Sequence, residues 1–214
     1  MSTQDSTVPC KFPWKIYDYE KSSDTVDIHA NKGSSIQVHD DLHVSVLRHR
    51  SGFFHTHLDE TQTGRSRPVI TFPVDNFAVL AAYTTWLYQG RLSRDDSSLP
   101  TSRLFYCQLY AFALRSDTPM LQNAALDEFL LTIDEDNSVR GDLTDYVKHN
   151  CPGSKMWQLI EDVGSGRRPR VRKQLGEMHY PICGRYHVHA EADLRDGELF
   201  YIDPPGSGGK LVKW

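Results

Sequence analysis

The chain has 214 residues, 39% of them hydrophobic and 24% charged, with a formal net charge of -4 at pH 7. That mix suits a soluble globular protein of one ordinary domain plus a modest extension, and it excludes two large domains. So small a charge gives no global field for gripping nucleic acid or a membrane surface, and no apolar run approaches the ~20 residues of a membrane-spanning helix.

The opening stretch MSTQDSTVPCKFPW lacks a basic start followed by an apolar run, so no secretory signal is expected. Residues 1–22 are polar apart from Phe12, Trp14, Tyr17 and Tyr19, and read as a mobile start that those rings could tie down. TVDIHA (25–30) and SSIQVH (34–39) are rich in β-branched residues and flank the turn signal Asn31-Lys32-Gly33. Val26, Ile28, Ile36 and Val38 alternate with polar neighbours, the period of a half-buried hairpin.

From His43 the period changes to that of a helix, with Val44, Val46 and Leu47 in a short first turn or two. Ser51-Gly52 is a stop and restart, and Phe53, Phe54 and Leu58 mark a second short helix. RPVITFP (67–73) reads as a strand bracketed by prolines. Asp75 then suits an N-cap for a helix carrying Phe77, Leu80, Ala81, Thr84, Leu87 and Tyr88, which Gly90 closes. After the loop DDSSLPTS, another apolar face is formed by Leu104, Tyr106, Leu109, Phe112 and Ala113. Thr118 and Pro119 open the next helix, with Leu121, Ala124, Ala125, Leu126 and Phe129. Two weaker helices follow at 138–149 and 154–163, then the run GSGRRPRVRK with five basic residues and no acidic one. Strands first, helices later, and no repeated βαβ unit give an α+β class.

The candidates for chemistry are histidines, a serine and cysteines. His55 and His57 lie two apart, which on a helix turns them about 200° from each other and unsuits them to share a metal. His187, His189 and Glu191 in HVHAE would share one face of a strand, which is better ligand geometry, but no further ligand set is evident. Ser51 lies in RSGFF rather than in G-x-S-x-G, with no base or orienting group assignable to it. Cys10, Cys107, Cys151 and Cys183 form no C-x-x-C pair, which together with the missing signal favours free thiols in a reducing intracellular setting, cytoplasmic or nuclear. Neither an enzyme nor a cofactor is expected.

Three motifs in order carry a family resemblance. HVSVLRHRSGFF (43–54) is similar to a His-x-x-x-Leu-x-x-x-Ser-x-x-Phe signature, with His43, Leu47, Ser51 and Phe54 at the matching positions. WLYQGRL (86–92) is similar to a Leu-Tyr-x-Gly helix end through Leu87, Tyr88 and Gly90. LYAFALRSDTPMLQNAALDEF (109–129) is similar to a pair of helices through Leu109, Tyr110, Ala113 and Leu121. Over about Ser23 to Leu131 the chain resembles a BTB/POZ domain of the kind numerous in filamentous fungi.

The resemblance implies a BTB/POZ fold over residues 23–132, a small three-stranded sheet flanked by short helices. A helical extension over 133–164 and a basic linker with a weakly structured tail over 165–214 would follow. It implies that His43 fixes the strand-to-helix corner while Leu47 and Phe54 fill the core. It also implies a protein-protein interaction module, self-associating as a homodimer and scaffolding partner proteins. Trp14 and Tyr17 are its candidate dimer contact, with a tuck onto the same chain as the alternative. The other functional reading is a substrate adaptor for a cullin-based ubiquitin ligase, with Leu58 and Glu60 as the candidate scaffold contact. They arrive several positions earlier than that family's hydrophobic-x-Glu element. Asp24 could supply the acid of a charged pocket found in zinc-finger-linked relatives, but Val44 stands where the basic partner belongs. A third reading, a metal-dependent enzyme using HVH, rests on His187 and His189 alone. The run from Arg167 to Lys173 is either a charged linker or an import or acidic-surface patch.

Overall fold

The structure, a computed structural model, describes residues 24–58, 69–74, 76–92, 100, 102–133, 141–167 and 186–187. Strands β1 (Thr25–Lys32) and β2 (Ser35–His43) form an antiparallel hairpin, and β3 (Val69–Pro73) adds parallel to β1, giving a mixed sheet in the order β2-β1-β3. The hairpin closes through Gly33, whose φ of 62° lies where a side chain would be strained. Among the described residues the helices are α1 (Val44–Arg50), α2 (Gly52–His57), α3 (Phe77–Gln89), α4 (Arg103–Arg115), α5 (Pro119–Thr132), α6 (Gly141–Asn150) and α7 (Lys155–Gly164). The class is α+β.

β1 turns Val26, Ile28 and Ala30 inward, each fully buried. β2 departs from its alternation. Val26 pairs with Leu42 but Ile28 pairs with His39, so β2 carries one extra residue between two inward positions. That is a β-bulge, and it exchanges the two faces of the strand. At it, Asp41 takes a φ of 61°, with its N–H donating to the Asp27 carboxylate. Beyond the bulge Leu42 faces the core, while before it Ile36 and Val38 face outward at 59% and 44% exposure. The expectation that Ile36 and Val38 lie on the buried face is therefore corrected.

α3 is capped by Asn76, whose side chain accepts from the Ala78 N–H, and not by Asp75, which lies outside the described residues. It ends at Gly90 with φ 74°. Its buried face is Val79, Leu80, Ala82, Tyr83, Trp86 and Leu87, while Phe77 and Tyr88 pack at the rim. α4 is enclosed on nearly every side, from Phe105 to Cys107 and from Leu109 to Ala113. Leu104, expected on its apolar face, is instead exposed. α6 packs on α4 and α7 on α6, and Leu143, Val147, Cys151, Met156, Leu159, Ile160 and Val163 join one continuous core with the sheet and α1–α5. The two later helices run 141–150 and 155–164, close to the spans read from the sequence.

Candidate functional site: the strand-to-helix corner

His43 ends β2 and precedes the first residue of α1. Its backbone N–H donates to the Tyr88 hydroxyl at 3.1 Å, and its Nδ1 lies 3.1 Å from the same oxygen. One hydroxyl thus holds both the amide and the ring of His43. The rings meet edge to face at 6.0 Å. Next to this, the Val44 N–H donates to the Asp24 carbonyl at 3.0 Å, tying the start of α1 to the start of β1. Val44 makes no charged pair with Asp24; the contact is backbone.

Ser51 sits at the break between α1 and α2 and is 2% exposed. Its hydroxyl accepts from the Phe54 N–H, capping α2, and donates to the carbonyl of Ser116, 65 residues away in the turn between α4 and α5. Gly52 N–H donates to the Asp117 carbonyl at 2.9 Å, and Phe53 N–H to that of Ser116 at 3.4 Å. The turn holds its own shape: Ser116 and Thr118 hydroxyls lie 3.0 Å apart, and Asp117 takes a left-handed φ of 47°. A Cβ built on Gly52 would fall 1.8 Å from Asp117 Oδ2, so glycine is needed there for the approach.

Beneath this junction the Tyr83 hydroxyl faces those of Ser51 and Thr118, short of a formed bond to either. Burial drives its pKa far above the ordinary range, with the two hydroxyls and the Arg50 charge acting the other way. Arg50, itself buried, lies 5.9 Å above the Trp86 ring. A serine whose hydroxyl already caps a helix and bonds a carbonyl is built to hold two turns together.

Leu47, Phe54, Leu87, Leu109, Tyr110, Ala113 and Leu121 are all buried in the core. Leu58 is 2% exposed, so its side chain is inside the fold. Glu60, Trp14 and Tyr17 lie outside the described residues. His55 and His57 are exposed, and His57 stacks on Phe53 at 4.0 Å while Nδ1 donates to the Phe53 carbonyl. His187 is buried with Nε2 2.7 Å from Asp127 Oδ1, and the Tyr186 O–H donates to Asp162 Oδ2 at 2.8 Å, so this segment is fastened to α5 and α7. His189 and Glu191 are outside the described residues. Among the described residues no group of three or more His, Cys, Asp or Glu is placed to hold a metal ion.

Cys107 and Cys151 are free and buried. Burial pushes the Cys151 thiol up to about 11, and raises Cys107 further with the nearby Cys151 adding to it. Thiols held protonated are poor nucleophiles. Cys10 and Cys183 lie outside the described residues.

The partners of Ser51 were not visible from sequence. Ser51-Gly52 and Ser116-Asp117-Thr118-Pro119 each carry a turn signal, but nothing local says that the two turns meet. Compared with models of known protein families and with curated proteins, the chain matches none.

Proposed function

We propose that this chain is a protein-protein interaction module of BTB/POZ type that self-associates and holds partner proteins. The observation that carries the reading is the commitment of the motif's polar residues to internal structure. His43 is fastened to Tyr88 and Ser51 to Ser116, while Leu47 and Phe54 fill the core. With these motif residues engaged inside the fold, the reading assigns the binding of partners to the surface. Multi-angle light scattering across a dilution series tests it. A dimer is expected, with twice the 24.5 kDa mass of one chain. Co-purification from cell extract should bring down a defined set of proteins, and Phe54→Ala, by destabilising the domain, should lower their yield. A strict monomer that retains no partner overturns the proposal.

A further inference from the structure

β2 is an outer strand of the sheet, and among the described residues no strand pairs with its free edge. The hairpin register says which main-chain groups lie there. The two-residue turn Gly33-Ser34 makes Lys32 and Ser35 a hydrogen-bonded pair, so by alternation Ala30–Gln37 and Ile28–His39 are hydrogen-bonded as well. Asn31–Ile36 and His29–Val38 are the open pairs, and the N–H and C=O groups of Ile36 and Val38 point away from β1, out along the edge. The side chains of the same two residues are exposed. Unpaired main chain beside bare aliphatic side chains is a template for another strand. From Ser35 to His39 no proline, lysine or carboxylate guards it.

We infer that this edge pairs antiparallel with the same edge of a second copy, about a two-fold axis at Gln37, joining the two sheets into one. The straight part of β2 runs from Ser35, beside the turn, to His39, beside the bulge, and Gln37 is its midpoint. About that centre Ile36 falls opposite Val38 of the second copy, and Val38 opposite its Ile36. These residues then exchange main-chain hydrogen bonds in both directions, and their side chains form an aliphatic pair on either side of the axis.

Other centres are worse. An axis at Val38 sets Ile36 against Asp40, one at His39 carries the bulge into the seam, and one at Ile36 leaves Val38 opposite the turn. The strand's own chemistry therefore selects one register. So short a seam falls below the roughly 800 Å² per partner of a standard interface, which makes the association reversible and concentration-dependent. The inference rests on the proposed self-association and names its surface.

The test introduces Gln37→Cys, Ile36→Cys and Val38→Cys singly into the 214-residue chain carrying Cys10→Ser and Cys183→Ser. On the axis the two copies of position 37 form an open pair with Cα atoms about 4.5 Å apart, within disulfide range. The two copies of position 36, or of 38, sit diagonally at about 7–8 Å, beyond that range. Under mild oxidation Gln37→Cys should link into dimers about tenfold faster than either neighbour, although Gln37 is the least exposed of the three. Val38→Pro removes an edge N–H that β1 does not use and should weaken the dimer about tenfold in light scattering. Val38→Lys, which keeps that N–H but charges the edge, gives the same reading if the proline variant misfolds. A dimer that survives both variants, or linking fastest at positions 36 and 38, overturns the inference and leaves the proposed function standing. A chain monomeric at every concentration also overturns it, and the proposed function falls too only if partner proteins are lost. A monomer whose co-purified proteins are released by Val38→Pro overturns it as well, and points to a partner's strand on this edge.

Discussion

Phe54 shows what a single side chain does here. It is fully buried, lies between Phe72 at 6.3 Å and Tyr83 at 6.2 Å, and sits in the first turn of α2, its N–H bonded to the Ser51 cap. Phe54→Ala should cost about 3–5 kcal/mol and Leu47→Ala about 2–5 kcal/mol, read as a lowered urea midpoint at unchanged slope. Tyr88→Phe removes only the hydroxyl that serves His43 and should cost about 1 kcal/mol. A Phe54→Ala protein as stable as the parent would show that α2 presents a different face. His39 gives a pH signature. Burial holds its imidazole below the ordinary 6.5, with the Asp40 charge pulling the other way. Above 6.5 folded and unfolded chains both keep it neutral. As pH falls from there toward the lowered folded value, only the unfolded chain takes up the proton, so stability declines in that window. His39→Gln should remove this part of the decline between pH 7.5 and 5.5. Parallel curves for the two proteins would contradict it.

At the scale of elements, the meeting of two turns is the feature with the sharpest consequence. Gly52→Ala should be strongly destabilising because the new methyl meets the Asp117 side chain, where Cβ is 3.2 Å and Oδ2 1.8 Å away. Asp117→Gly clears that space and also relieves the left-handed backbone at φ 47°. The double variant should therefore be more stable than Gly52→Ala alone, a coupling of about 0.5–3 kcal/mol in urea titrations. Additive effects would mean that the turns separate instead. The elements themselves were largely legible. The hairpin, both short helices, the Gly90 stop and the Pro119 start all announce themselves through local turn and capping chemistry. Faces were harder. Ile36, Val38 and Leu42 are separated by even numbers of residues and so read as one face, and only the pairing of Val26 and Ile28 with Leu42 and His39 reveals the extra residue that divides them. In α3, FAVLAAYTTWLY is apolar at almost every position, so its sequence cannot phase itself. The larger rings of Tyr83 and Trp86 take the inside, leaving Phe77 and Tyr88 at the rim. The site was legible as residues but not as contacts. His43 and Ser51 stood out, whereas Tyr88 and Ser116 became their partners only through folding.

Over the whole molecule, one core joins the sheet to α7. Because Leu159 and Met156 belong to the same buried cluster as Leu80 and Phe112, the described helices should melt together. Trp86 in α3 and Trp157 in α7 give tryptophan fluorescence a reporter at each end, and this signal should fall in step with far-UV circular dichroism. Leu159→Ala should shift that shared transition by about 2–5 kcal/mol. An early separate step would show α6 and α7 to be an appendage. The bond from Ser51 to Ser116 has a consequence of another kind. A ribosome adding about 5–20 residues per second needs roughly 3–13 s to make the 65 residues between them. Throughout that interval the nascent hairpin and its two short helices lack the turn that clasps them. Their apolar faces stay open to chaperones, or to neighbouring nascent chains, until α4 and the residues after it have emerged.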